Sequence, residues 1–475
     1  MEYVRKKLEK INSIELFKHG KFYLIGNILS KGLLFLTMPI YIRILPSPSE
    51  YGLLNIYSSV VNMLVIILGL NVHAALLRYY HEKDGQFSWF CSSIVKSLLI
   101  FDVLILFIIN RYKNVFSIYL NIDSNILIVI VIVTILQIYL NMYLTYLKAS
   151  KQSNSFLKLS VLSNLFIILL SIVIMLFLKE KKYLGEIYSK VLINFIVILF
   201  LAIKFVKIYK NKKLNFNHIK YVLLYSAPLI PHSLSNYLLA HADKILINKY
   251  VGSYETGIYS LAYNIGMIMN VIVISLNNAW VPIFFEKLRE EKYSEIELVA
   301  KKYTSFIFIA ASFLIVFSKE LIGFIAKRDY YEGVYMIPIV IIGYVFVFLY
   351  TIYTNYAFYY KKTILISMNT IIAGIINIAL NCIFIPKAGY IAAAYTTLFS
   401  YVILFILHYF NSKYLIKARV VSIKIFMKPI IGIFFTMLVF YFTNIYIINY
   451  LVGVLIKLVI ITVIVSIILK MNRKG

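Results

Sequence analysis

Residues 22–45 read FYLIGNILSKGLLFLTMPIYIRIL. A helical run of about 20 apolar residues crosses a bilayer core, and this run is long enough to do so. Lys31 breaks its pattern. It stands about ten residues beyond the flanking cation Lys21, which at roughly 1.5 Å per helical residue places it about 15 Å deep in a hydrocarbon layer about 30 Å thick. An ammonium at that depth is costly and turns toward a bundle interior or a watery cavity. Lys31 is therefore the first candidate functional residue. Asn27, one helical turn earlier, shares its face.

The pattern of the first run continues along the chain. Of 475 residues, 61% are hydrophobic and 14% charged, and the mean hydropathy is +0.85. A soluble domain cannot hide that much apolar surface, so the composition specifies an all-α polytopic membrane protein. The runs are continuous rather than alternating, which argues against a β-barrel. About fourteen spans are expected, near 22–45, 52–79, 89–110, 124–147, 156–178, 184–206, 219–243, 256–285, 301–320, 334–359, 363–385, 388–410, 425–444 and 447–469. The connections are short, and no extramembrane domain fits between them. Residues 1–21 read as an amphipathic interfacial segment on the cytoplasmic side, with Arg5, Lys6, Lys7 and Lys10 beside Val4, Leu8, Ile11 and Ile14. The first span is too long for a secretory signal peptide and lacks a small-residue cleavage site.

The formal net charge is +28. The cations are not gathered into a basic module. They lie between the spans, as loops beside anionic headgroups do, so nucleic acid is not the expected partner and membrane lipid is. With the N-terminus inside, about 29 Lys and Arg fall on the cytoplasmic side and about 12 outside, although Lys179, Lys181 and Lys182 run against the trend. Both termini are expected in the cytoplasm.

An internal repeat with an offset of about 205 residues gives the spans an order. Glu50-Tyr51-Gly52 and Leu70-Asn71-Val72-His73-Ala74 find counterparts in Glu255-Thr256-Gly257 and Ser275-Leu276-Asn277-Asn278-Ala279. Six helices, an even number, separate the matched pairs, so the halves point the same way. The expected architecture is two parallel-related six-helix lobes, an N-lobe at 22–206 and a C-lobe at 219–410, holding a central cavity and moving by alternating access. Residues 425–469 form two accessory spans.

Polar stripes inside the spans supply the remaining candidates. Span seven carries Tyr225, Pro228, His232, Asn236, Ala240 and Asp243 at helical spacing. Span two carries Asn55, Ser59, Asn62, Gly69 and His73 with similar phasing, and span eight carries Asn270 and Asn277 on one face. Such faces turn toward water or toward other helices, as a cavity lining or as interhelical hydrogen-bond glue. Arg78 lies at the cytoplasmic end of span two, as a ligand contact or an interfacial anchor. Asp243 and Lys244 fall at the outer end of span seven, as an outer gate or ion-coupling pair or as an interfacial anchor. Lys96 and Asp102 are too far apart on their helix to pair, so each needs a partner elsewhere, whereas Glu186 and Lys190 are spaced to neutralise each other.

Catalytic chemistry is missing from the sequence. The seven histidines are scattered, the two cysteines (Cys91 and Cys382) lie in separate spans, and there is no phosphate-binding glycine loop. Neither an enzyme, a metal nor a cofactor is expected.

Several stretches resemble polysaccharide transporters of the oligosaccharide flippase type. These are Gly26-Asn27-Ile28-Leu29-Ser30-Lys31-Gly32, then Pro39 to Leu45, Pro48 to Gly52, Tyr225-Ser226-Ala227-Pro228-Leu229-Ile230-Pro231-His232, Asp243-Lys244, Gly257-Ile258-Tyr259-Ser260, and Asn277-Asn278-Ala279-Trp280-Val281-Pro282. Lys361-Lys362-Thr363, Asn377 with Asn381, Pro386 and Gly389 continue the likeness, which covers essentially the whole chain. The wider superfamily also holds multidrug/toxin extruders and lipid II flippases. The resemblance implies fourteen helices, a bacterial cytoplasmic membrane, and flipping of an undecaprenyl-diphosphate-linked oligosaccharide for surface polysaccharide biosynthesis. It implies a cationic cavity to which Lys31, His73 and Arg78 belong, and a polysaccharide polymerase and glycosyltransferases as partners. Ala392-Ala393-Ala394 departs from the usual Gly-Ala-Ala, a change expected to touch packing alone. An ion-coupled multidrug exporter is the alternative within the superfamily; a membrane glycan polymerase or acyltransferase is the alternative outside it.

Overall fold

The protein is described by a computed structural model covering residues 29, 32–33, 35–82, 86–209, 213–446 and 450–473. Asn27 and Lys31 lie outside the described residues. Every regular element among those described is helical. In chain order they are α1 (Phe35–Ile44), α2 (Pro48–Leu68), α3 (Val72–Glu82), α4 (Phe87–Leu120), α5 (Ser124–Ala149), α6 (Ser153–Phe177), α7 (Leu184–Tyr209) and α8 (Phe216–Ser226). A 3₁₀ turn at Ala227–Leu229 leads to α9 (Ile230–Tyr250), α10 (Ser253–Gly266), α11 (Ile268–Arg289), α12 (Tyr293–Val316) and α13 (Ser318–Ile325). After a 3₁₀ segment at Arg328–Met336 come α14 (Ile337–Tyr359), α15 (Thr363–Ala388), α16 (Tyr390–Phe410), α17 (Lys424–Tyr446) and α18 (Tyr450–Arg473). Among the described residues, eleven helical segments are long and apolar enough to cross a membrane, and shorter apolar helices accompany them. The chain is a multi-pass α-helical membrane protein.

The chain divides into two compact units, Met1–Leu234 and Ser235–Gly475. In the first, α5 is the central element: α2, α3, α4, α6 and α7 all pack on it. In the second, α14 takes that place, with α10, α11, α12, α15 and α16 around it. The sequence of α14 explains its position. It is apolar on all sides and has no polar face to give to water, so a helical shell covers it. By contrast, Leu99, Ile100, Val103, Leu104 and Phe107 leave an apolar stripe of α4 exposed, a surface that suits lipid. The sequence reading opens the C-lobe at residue 219; α8 packs on α3 and α4, inside the first unit.

Three expected spans are broken well inside their bounds, and span nine breaks near its end, at Phe317. Span two separates into α2 and α3 at Gly69-Leu70-Asn71. A Cβ on Gly69 would stand 2.4 Å from the Val65 carbonyl oxygen, while Leu70 and Asn71 take φ of 47° and 48°. Asn tolerates that left-handed region, and Asn71 Nδ2 is held by Ser233 Oγ at 3.1 Å. The polar stripe of span two is therefore not one continuous face. Asn55, Ser59 and Asn62 each bond a carbonyl one turn back on α2, whereas His73 belongs to α3. Span seven breaks at Pro228, which lacks the N–H an α-helix needs, and resumes with Pro231 in the first turn of α9. Span eight breaks at Met267.

Candidate functional site

A buried polar cluster lies wholly inside the second unit and is built on α9. Hydropathy ends span seven at residue 243, where the charges begin, so the sequence reading places Asp243 and Lys244 at a helix end. The structure corrects this position. α9 continues to Tyr250, and both residues are buried, Asp243 completely. Protein donors take the place of the water that the end of a span would have supplied.

Three neighbouring helices provide those donors. Asp243 Oδ1 accepts from Asn381 Nδ2 at 2.6 Å on α15. Its Oδ2 accepts from Thr397 Oγ1 at 2.7 Å on α16 and from the Tyr259 hydroxyl on α10. The second layer is closed as well. Asn381 Nδ2 also donates to Asn377 Oδ1 at 3.2 Å, Asn377 Nδ2 donates to Thr397 Oγ1 at 3.2 Å, and the Thr396 hydroxyl donates to Asn381 Oδ1. A buried carboxylate persists only when its lone pairs are met in this way, because desolvation of an ion costs several kcal/mol, on the order of what a full set of charge-assisted bonds returns.

Local sequence explains how these groups meet. Gly389 separates α15 from α16 with φ +70° and ψ −164°, a conformation other residues rarely hold. The sharp reversal lays the two helices side by side, with Asn381 and Thr397 equally far from the turn on opposite strands of the hairpin. Ala392, Ala393 and Ala394 are buried at the start of α16, and their small size lets it approach α14 and α15 closely. Lys244, next to Asp243, extends toward the ring of Tyr263, 5.9 Å from its centroid, and the Tyr344 hydroxyl donates to that of Tyr263 at 3.1 Å. Tyr263, Tyr344, Thr397 and Tyr401 line a small cavity beside the carboxylate.

The other candidates are dispersed. In the first unit, Arg78 is half exposed on α3. It pairs with Glu82 one turn on and lies 4.6 Å from the centroid of Tyr225. Tyr221 Oη fixes the second Glu82 oxygen at 2.7 Å. His73 is exposed at the start of α3, and His232 is partly buried in the first turn of α9. In the second unit, Asn236 is exposed and Asn270 partly buried. Asn277 Oδ1 accepts from Asn355 Nδ2 of α14 at 3.0 Å, an interhelical bond of the glue type. The expected Glu186–Lys190 pair forms and is joined by Ser58, while Asp102 takes its hydrogen bond from Tyr139 on α5 at 2.6 Å. No group of three or more His, Cys, Asp or Glu suited to a metal occurs among the described residues.

Sequence reasoning missed Lys457. It is 2% exposed in the middle of α18 and donates to Glu320 of α13 and Asn444 of α17. The argument that singled out Lys31 applies to it unchanged, since it too is a lone lysine inside an apolar run.

A helical membrane protein of two compact units, with Asp243 and Lys244 buried in the second, fits the class of the multidrug/oligosaccharidyl-lipid/polysaccharide exporters. The chain belongs to the polysaccharide biosynthesis protein family, whose model matches residues 16–288. The MatE model matches residues 228–383. Two relatives from Haemophilus influenzae are each 26% identical: Lsg locus putative protein 1, over 77% of this chain and 90% of its own length, and an uncharacterized membrane protein, over 80% and 95%. Among solved structures, the lipid II flippase MurJ in an inward closed conformation has a TM-score of 0.74 at 16% identity, covering 94% of this chain and 98% of its own. A multidrug resistance MATE family transporter in an inward-facing conformation has a TM-score of 0.67 at 15% identity, covering 82% and 96%. The fold is thus shared with flippases and transporters, and this chain is a membrane transporter of that superfamily.

Proposed function

We propose that the protein flips an undecaprenyl-diphosphate-linked oligosaccharide across the bacterial cytoplasmic membrane by alternating access, with both termini in the cytoplasm, for surface polysaccharide biosynthesis. The observation that carries this reading is the polysaccharide biosynthesis family match over residues 16–288, a stretch that includes Lys31, His73, Arg78 and His232. The physics of the substrate agrees with it. A diphosphate cannot cross hydrocarbon unaided, and a cation where water is scarce offers it charge-assisted bonds. In this reading Lys31, His73 and Arg78 bind the phosphates, while Asn27, His232, Asn236, Asn270 and Asn277 shield the sugars. Asp243 and Lys244 couple the movement to an ion. A polymerase and glycosyltransferases would act on the same lipid-linked units.

The test is Lys31→Ala in a strain that depends on the gene for surface polymer. Export is expected to stop while the protein remains inserted and folded, and wild-type export from that mutant rejects the role given to Lys31. The MatE match over residues 228–383 favours a second reading, an ion-coupled exporter of small molecules. Purified protein in vesicles separates the two: the first reading requires translocation of a fluorescent polyprenyl-diphosphate saccharide, the second requires efflux of an organic cation.

A further inference from the structure

We propose that the segment joining α16 to α17, residues 411–424, together with the first turn of α17, is a binding site for anionic phospholipid headgroups of the surrounding leaflet. It lies wholly in the second unit and is independent of what the protein carries.

Charge separates this segment from the other basic turn of the same unit. Beyond Glu332 the sequence contains no Asp or Glu, yet residues 411–428 hold Lys413, Lys417, Arg419, Lys424 and Lys428. All five are exposed, and among the described residues none of them meets an acid in an ion pair. The turn from α11 to α12 is also rich in cations, but it supplies its own acids. There Lys287 pairs with Glu295 at 2.8 Å and Lys292 with Glu290 at 3.0 Å. The α16–α17 segment has no such supply, so its counter-charge comes from outside the chain, and beside a bilayer the anions at hand are headgroup phosphates.

The backbone is fixed where it carries these charges. Two tyrosines of α14 hold it: Tyr353 Oη donates to the Val421 carbonyl at 3.0 Å, and the Val421 N–H donates to Tyr356 Oη at 3.2 Å. Ser412 Oγ donates to the Tyr353 carbonyl at 2.9 Å, and the Ala418 N–H donates to the Ser412 carbonyl at 3.0 Å. The rings of Tyr353, Phe405 and Phe426 pack together and tie the ends of α16 and α17 to α14. A segment held in this way presents its cations without the ordering cost of a free loop. Arg419 is steadied further by the ring of Tyr293, 4.8 Å away at its centroid, and its guanidinium fork suits a phosphate bidentately. Lys413 gives one of its three protons to Tyr409 Oη at 3.0 Å and keeps two.

Apolar surface decides between a phospholipid and a free phosphate. Phe410, Tyr414 and Leu415 are exposed beside Lys413, as are Met427 and Ile431 beside Lys424 and Lys428. Residues 424, 427, 428 and 431 share one face of α17, so its cations stand at the loop end of a stripe open to lipid tails. Phosphate at the cations and an acyl chain along the stripe is the shape of a phospholipid. An inorganic anion would use the cations alone.

The test uses the purified full-length protein in dodecyl maltoside micelles at constant ionic strength, so that screening is equal throughout. Thermal unfolding is followed with phosphatidylglycerol, with phosphatidylcholine at the same mole fraction, and with inorganic phosphate alone. Wild type is expected to gain about 2 °C or more with phosphatidylglycerol and nothing with the other two, as with a ligand that binds only the folded state. Lys417→Gln/Arg419→Gln/Lys424→Gln is expected to lose most of that gain. Lys287→Gln/Arg289→Gln/Lys292→Gln removes the same charge from the α11–α12 turn and is expected to keep it. No gain in wild type, an equal gain with phosphatidylcholine or phosphate, or an equal response of the two triple variants overturns the proposal. Should either triple variant fail to fold, photo-crosslinking of wild type decides. A phosphatidylglycerol with a photoreactive headgroup is expected to label residues 411–431, and labelling confined to other segments refutes the site.

Discussion

Lys457 and Glu320 allow a quantitative test of how the accessory helices are held. The Lys457 ammonium donates to both Glu320 oxygens, at 2.8 and 3.1 Å, and to Asn444 Oδ1 at 3.3 Å. The side chains differ in their access to water, being 2% exposed for Lys457 and 17% for Glu320. This asymmetry predicts unequal single mutants. Glu320→Gln removes the opposite charge from a buried ammonium and leaves it neutral oxygen acceptors in place of a carboxylate, and it is expected to cost about 3–5 kcal/mol, the range for breaking a buried pair. Lys457→Met strands a carboxylate that can still reach solvent, and about 1–3 kcal/mol is expected, the cost of a polar group left without its partner, because water still meets part of the charge. The double variant replaces the pair with groups of similar size and should be more stable than Glu320→Gln alone, giving an interaction of about 2–3 kcal/mol in the cycle. Equilibrium unfolding of the purified protein in mixed SDS–detergent micelles measures all four corners. If the two losses simply add, or if Lys457→Met is the more damaging, the pair does not anchor α18 to α13 as argued.

Two further outcomes follow from packing and exposure. A Cβ on Gly432 would meet Phe308 Cζ at 2.4 Å and Cε2 at 2.9 Å, so Gly432→Ala should force α17 away from α12 at a cost of about 1–3 kcal/mol. Adding Phe308→Leu should restore part of it, and a neutral Gly432→Ala in the same unfolding assay would contradict the contact. Arg78 has little structural work in a half-exposed pair, so Arg78→Ala should leave Tm within about 2 °C of wild type. A loss of polymer export in that variant then reports on ligand handling, whereas a large fall in Tm would assign Arg78 to folding.

The sequence made the helices legible because each span must satisfy its own backbone in lipid, which leaves about 20 apolar residues as a direct trace of every crossing. It made their continuity less legible. Hydropathy is blind to Gly69-Leu70-Asn71, to Pro228 and to Met267, because a break changes backbone geometry without changing polarity. It also misplaced Asp243. A charged residue lowers a hydropathy window whether it faces water or a ring of donors, and only the positions of Tyr259, Asn381 and Thr397 distinguish the two cases. Asn377 and Asn381 stood out as part of a family pattern, but Thr396 and Thr397 did not, since a threonine in an apolar helix more often bonds its own backbone, as Thr370 does with the Ile366 carbonyl.

Lys457, buried in the second unit, has Glu320 as its acid, and the Asn444 amide oxygen completes its shell. Asp243, buried in the same unit, is met instead by the Asn381 amide and the hydroxyls of Thr397 and Tyr259. The supply of such acids is small, since the chain holds 48 Lys and Arg against 20 Asp and Glu. Internal pairing can therefore satisfy some cations only, and the excess must be balanced by anions from outside the chain. In a membrane those anions are phosphates, carried by headgroups at the interface or by a lipid-linked substrate deeper in. The charge imbalance and the economy of buried acids are thus what the proposed phosphate-binding role of Lys31 draws on, and the Lys31→Ala export assay is where that proposal is decided.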